Sequence, residues 1–344
     1  MNTAAFDGLR TGFTSSKEFP DLAGVAMTTH SRNGIRSCLH GSDVIVEPPS
    51  PTASDDDNNE YPSGFIGVWQ IAERELRETP LKRQKDLNLM REMIRSDPEM
   101  NPRTDDAFLL RFLRCRKFDC HRAYKVLRQY YKLRHNNPQL FKAFHPTNQK
   151  ETFRHNLQMV LPDRDPKGCA VFIFKGGHWN PYTCTAEDIF RANVMCLEQA
   201  IMDPVTQVTG IVALMDMKGF SFTHLRFCPA SHLQKVVSLI QDCFPARFKA
   251  IHIVNEPAIF SVLFSIVKPF LNEKLQKRIY FHGCDLNSLH QYLPADILPE
   301  EYGGLTGSMD NSDFVQRMYR NDEMFKKDSA YGFKNKIKVD SSQG

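Results

Sequence analysis

The sequence predicts an α/β protein in which a helical N-terminal lobe precedes a larger lobe built on a mainly parallel sheet flanked by helices. Three observations carry this expectation. Capped amphipathic helix patterns run from residue 65 to about 145. From residue 169 onward the pattern changes to strands alternating with helices. The chain has 344 residues, 41% of them hydrophobic, which is enough chain for two lobes and a large core.

The elements follow in order. Residues 1–64 hold four basic and nine acidic residues, and only eleven of them are Leu, Ile, Val or Phe. That composition does not support a core, so this acidic tail is expected to be disordered. Its run Asp55-Asp56-Asp57-Asn58-Asn59-Glu60 reads as a solvated linker or as a screen over a basic body. Against the overall +4, the tail's −5 leaves the remaining residues at about +9. Thr79-Pro80 supplies an N-cap and a first-turn proline for a helix through Leu87, Met90, Met93 and Ile94, which stops before Pro98. Thr104-Asp105-Asp106 caps a second helix with Phe108, Leu109, Phe112 and Leu113 on its apolar face. Asp119 caps a third, carrying Tyr124, Leu127, Tyr130 and Tyr131. These helices place a lobe at 65–145.

In the larger lobe, residues 146–305, strands are expected at 169–174, 211–216, 249–254 and 278–282, with helices at 186–202, 229–243 and 257–270. After Gly304 the composition is polar, and residues 306–344 are expected to trail away as an extension.

Much chemistry is excluded. No G-x-G-x-x-G follows a strand, and neither a G-x-x-x-x-G-K-[ST] loop nor a G-x-S-x-G elbow is present. No H-E-x-x-H occurs, and the spacing of His252, His282 and His290 has no metal-ligand logic, so these read as hydrogen-bonded or surface histidines. The nine cysteines are scattered without a C-x-x-C pair, which suits reduced thiols in a cytoplasmic protein. No apolar run is long enough to span a bilayer, so any membrane contact is expected to be peripheral. The expectation is a protein that is not an enzyme and uses no cofactor, metal or nucleic acid.

Two features stand out. Residues 258–267 are apolar around the whole helix circumference, relieved only by Ser261 and Ser265. Such a helix is either buried on every side or a lid between an apolar cavity and lipid. Cations surround it. Arg247 and Lys249 share one face of a predicted strand, Lys268 ends the apolar helix, Lys274 and Arg278 follow four apart, and Arg116 lies just past the second helix. They form either a solvated charged surface or a site for an anionic membrane.

Three segments carry a resemblance to a known family. Residues 104–119, centred on Phe108-Leu109-Leu110-Arg111-Phe112-Leu113-Arg114, are similar to the N-terminal signature of CRAL-TRIO lipid-binding proteins. So are 242–257, with Phe244-Pro245-Ala246-Arg247-Phe248-Lys249, and 297–304, Ile297-Leu298-Pro299-Glu300-Glu301-Tyr302-Gly303-Gly304. The resemblance implies a helical lobe and an α/β lobe that encloses one hydrophobic small molecule or lipid beneath an apolar lid helix. It implies a phosphoinositide-binding cleft at Arg116, Arg247, Lys249, Lys268, Lys274 and Arg278. It places Phe190, Val194, Leu197, Ile211, Met215, Phe222, Val236, Leu239, Ile240, Phe248 and Ile251 around the ligand cavity. Simple core packing would use those residues equally well. Phe260, Val262, Leu263 and Phe264 belong to the lid. The function expected is binding and transfer of a retinoid, tocopherol-like molecule or phospholipid, with docking on phosphatidylinositol bisphosphate membranes, endosomal ones among them. The competing reading is a phosphoinositide-binding trafficking adaptor whose only ligand is the headgroup.

Overall fold

The computed structural model describes residues 66–334; the expected acidic tail lies outside them. The chain enters through a helix at Ile66–Ile71 and a π-helical turn at Ala72–Leu76. Three longer helices then build the first lobe: Pro80–Arg95, Asp106–Cys115 and Cys120–Asn136. Their starts are set by side chains that accept otherwise orphaned backbone N–H groups. Thr79 accepts from Lys82 at 3.2 Å, Asp105 from Phe108 at 3.0 Å and Asp119 from Arg122 at 3.0 Å.

The Asp106–Cys115 helix is buried on more than the apolar face that its sequence marks, because Arg111 and Arg114 are buried as well. Arg114 donates to Glu78 at 2.8 Å and to Gln207 Oε1 at 2.6 Å, where Gln207 lies on the Pro204–Thr209 helix of the second lobe. Glu198 takes Arg134 at 2.9 Å and the Tyr130 hydroxyl at 2.7 Å. Val205 and Val208 also join the apolar core of the first lobe. The two lobes therefore share both apolar and charged interior.

The second lobe is a five-stranded sheet of β2 (Gln158–Arg164), β3 (Ala170–Phe174), β4 (Ile211–Asp216), β5 (Phe248–Val254) and β6 (Ile279–Phe281), ordered β2-β3-β4-β5-β6. All neighbours are parallel except β2 and β3, which form an antiparallel hairpin. β2 is absent from the sequence reading because Gln158, Pro162 and Asp163 break its alternation of apolar residues. A short β1 (Met100–Asn101) pairs with β7 (Gly332–Phe333).

One face of the sheet presents Ile211, Ala213 and Met215 of β4 beside Phe248, Ile251 and Ile253 of β5. The helix at Phe260–Val267 covers the far end of this face. Phe260, Leu263 and Phe264 pack there with Met215, Met217, Ile251 and Ile253.

The expectation that the chain trails away after Gly304 is corrected. Helices at Ser312–Arg320 and Asp322–Asp328 fold back, burying Phe314, Val315, Met318 and Phe325 in the main core. Their overall polarity hid a helical spacing of apolar residues that is enough to anchor one face.

Candidate functional site

A cleft of about 440 Å³ lies where the helical lobe meets the edge of the sheet. Each wall has a local cause. Arg116 ends the Asp106–Cys115 helix, and Lys117 follows it at a positive φ of 53°. Arg247 and Lys249 flank Phe248 at the start of β5. Gly210 lets β4 begin against them: at φ +103°, its missing Cβ would sit 2.4 Å from the Arg247 carbonyl oxygen. Lys274 lies on the short Glu273–Gln276 helix and Arg278 just before β6.

Among the described residues, six cations line this cleft, Arg116, Lys117, Arg247, Lys249, Lys274 and Arg278, against one carboxylate, Glu75. Glu75 Oε2 accepts from Arg247 Nη2 at 2.6 Å and from Lys249 Nζ at 3.2 Å. Burial alone would raise the Glu75 carboxyl, but these two partners hold it below its usual range. Arg247 also donates to the Val208 carbonyl and Arg278 to that of Phe248, which fixes both guanidinium groups. Burial, with Arg278 and Arg116 as neighbours, pushes the Lys274 ammonium down. Crowded cations of this kind favour a multiply charged anion.

The cleft is joined to the end of the apolar helix through Gln241. Its backbone carbonyl accepts from Arg116 Nη2 at 3.3 Å. Its side chain donates to the Phe270 carbonyl at 3.0 Å and accepts from the Asn272 N–H at 2.7 Å.

Five of the six cations assigned by resemblance thus meet in one cleft. Lys268 does not: the apolar helix ends at Val267, and Lys268 opens the following 3₁₀ turn with its side chain in solvent. Glu75 and Lys117 were missed. The sequence carries no signal for Glu75, whereas Lys117 adjoins an assigned residue.

Of the residues assigned to the ligand cavity, Phe190, Val194, Leu197, Ile211, Leu239 and Phe248 are buried in one apolar cluster, with Val236, Ile240 and Ile251 packed against it. Met215 belongs to the cluster under the apolar helix. Phe222 is a correction, because its side chain is 74% exposed. The interior position of its short helix goes instead to His224, whose Nε2 lies 2.8 Å from the Trp179 carbonyl oxygen. Two amides sit uneasily within this apolar lobe. Both side-chain polar atoms of Gln158, and Oδ1 of Asn193, are buried with no hydrogen-bond partner among the described residues.

In the apolar helix, Phe260 is buried, Leu263 and Phe264 are half-buried and Val262 is 43% exposed. A helix buried on all sides is thereby excluded. It is a cover with one apolar face inward and another toward solvent, beside the exposed Phe281, whose ring lies 5.0 Å from that of Phe264.

The CRAL/TRIO domain model matches residues 154–304, and the Pinta-like UBA domain model matches residues 79–151. With relatives above 40% identity along three quarters of its length, the chain belongs to the CRAL/TRIO domain family. One relative is the alpha-tocopherol transfer protein-like protein of Mus musculus, 42% identical over 258 residues, which are 75% of each chain. Its Homo sapiens counterpart is 41% identical over the same length. Clavesin-2 of Homo sapiens is 37% identical over 263 residues, 76% of this chain and 80% of that one. The crystal structure of Sfh5 overlays with a TM-score of 0.45 at 15% identity, covering 75% of this chain and 97% of that one.

Proposed function

We propose that the protein is a non-enzymatic carrier. It holds one hydrophobic molecule, a retinoid, tocopherol-like compound or phospholipid, in the α/β lobe and delivers it at a phosphoinositide-bearing membrane. The observation that carries this reading is the cation-lined cleft tied through Gln241 to the end of a half-exposed apolar helix. A bisphosphorylated inositol headgroup would displace Glu75 from Arg247 and Lys249 and gain charge-assisted hydrogen bonds from several sides. Docking there would set Val262 and the exposed Phe281 against the bilayer, where apolar surface leaves water at about 25 cal/mol per Å². The apolar helix could then move aside as a lid. The orphan amides of Gln158 and Asn193 suit a cargo with a polar end.

The contact proposed is peripheral; no helix among the described residues is long and apolar enough to cross a membrane. The working site is the cytoplasmic surface of endosomal or other phosphoinositide-bearing membranes. The name of the transfer protein-like relatives supports the carrier reading.

Two measurements test it. Native mass spectrometry before and after solvent extraction should reveal one apolar ligand per chain; its absence from protein incubated with membrane lipid would favour the adaptor reading. Flotation with liposomes should depend on phosphatidylinositol bisphosphate and be lost in Lys117→Glu with Lys274→Glu, both surface lysines. Flotation that ignores the headgroup would contradict docking through the cleft.

A further inference from the structure

A second cavity, of about 530 Å³, opens on the opposite face of the sheet. Its floor comes from residues that alternate with the lid-facing ones: Ala250 and His252 on either side of Ile251, and Tyr280 beside His252 on β6. Tyr292 closes one side. The rings of His252, Tyr280 and Tyr292 form a compact aromatic set. His252 stacks on Tyr280 at 5.1 Å and 18°, and Tyr292 lies 4.9 Å from each.

This set also carries hydrogen-bonding capacity. His252 Nδ1 lies 2.9 Å from His282 Nε2, and His282 Nδ1 lies 2.8 Å from Ser288 Oγ, so the imidazole is held from behind. Its Nε2 and the hydroxyls of Tyr280 and Tyr292 make no hydrogen bond among the described residues. Burial, with His282 next to it, lowers the His252 pKa to about 4, which leaves a neutral ring at physiological pH.

The rim is charged. Arg74 and Lys167 both line the cavity, are exposed, and form no ion pair among the described residues. The two carboxylates nearby are already engaged. Glu75 holds Arg247 and Lys249, and Asp165 closes its own turn by accepting from the backbone of Lys167 at 3.0 Å and Cys169 at 2.6 Å. Glu75 and Lys249 line both cavities and so form the partition between them.

We propose that this cavity is a second ligand site, distinct from the basic cleft, and that it takes a planar aromatic ring bearing an anionic group. The ring lies on Tyr280 and Tyr292 above His252, and the anion reaches Arg74 and Lys167. This assignment does not depend on the carrier reading.

The test is calorimetric titration of the full chain with 1-naphthyl phosphate. One saturable site per chain is expected, with inorganic phosphate at least tenfold weaker. Tyr292→Ala and, separately, Lys167→Glu should each weaken binding at least fivefold, and both alter exposed side chains. Lys117→Glu with Lys274→Glu, in the basic cleft, should leave it within twofold. Four results would overturn the assignment: no saturable binding, inorganic phosphate binding as well as the aryl phosphate, indifference to both cavity variants, or loss in the cleft variant.

Discussion

On the proposed docking, Glu75 occupies the position that an incoming phosphate would need. Its carboxylate is the only one lining the cleft among the described residues and bridges Arg247 and Lys249. A partly exposed pair of this kind is worth about 1 kcal/mol, so Glu75→Gln should tighten binding to phosphatidylinositol bisphosphate liposomes roughly fivefold. Unchanged or weaker flotation would show that Glu75 organises the cations and does not compete for them. Gln158 poses the opposite kind of test. Its amide is fully buried and unpaired among the described residues, and such a group costs about 1–3 kcal/mol. Replacing it with leucine should raise the thermal midpoint of ligand-free protein by a few degrees and weaken retention of cargo. A lowered midpoint would mean that the site is already satisfied in solution.

Among the elements, the apolar helix divides two roles between its faces. Phe260 packs edge-on against Phe220 at 6.1 Å and Phe281 at 6.3 Å, so Phe260→Ala should cost about 3 kcal/mol of stability. Val262 faces outward, and Val262→Asp should change stability by less than about 0.5 kcal/mol while reducing liposome binding several-fold. Denaturant titration and flotation on the two variants separate these effects; equal losses of stability would contradict a two-faced cover. Apolarity around the full circumference left both roles open in the sequence. What resolves them is where β5 and β6 place Ile251, Ile253 and Ile279, a tertiary matter that helical periodicity does not encode.

For the molecule as a whole, legibility in the sequence followed the range of the interactions. Helix starts at Thr79, Asp105 and Asp119 could be read because a cap and its N–H are three residues apart. The strand at Ile211–Asp216 was legible as a short β-rich apolar run. The hairpin strand Gln158–Arg164 was not, since its pairing with β3 overrides a poor local pattern. Resemblance gathered five cations of the cleft, yet Glu75 reaches Arg247 across 172 positions, a juxtaposition that only the folded chain creates. Phe222 failed for a related reason: the interior place in its short helix belongs to His224. The central claim is that the cleft and the lid act together, through Gln241, so that headgroup binding releases cargo. Its most direct test follows a fluorescent hydrophobic cargo leaving the protein for acceptor liposomes with and without phosphatidylinositol bisphosphate. The wild-type rate should rise with the headgroup, and Lys117→Glu with Lys274→Glu should abolish that rise while still retaining cargo in solution. A rate that remains headgroup-stimulated in this variant would contradict the claim.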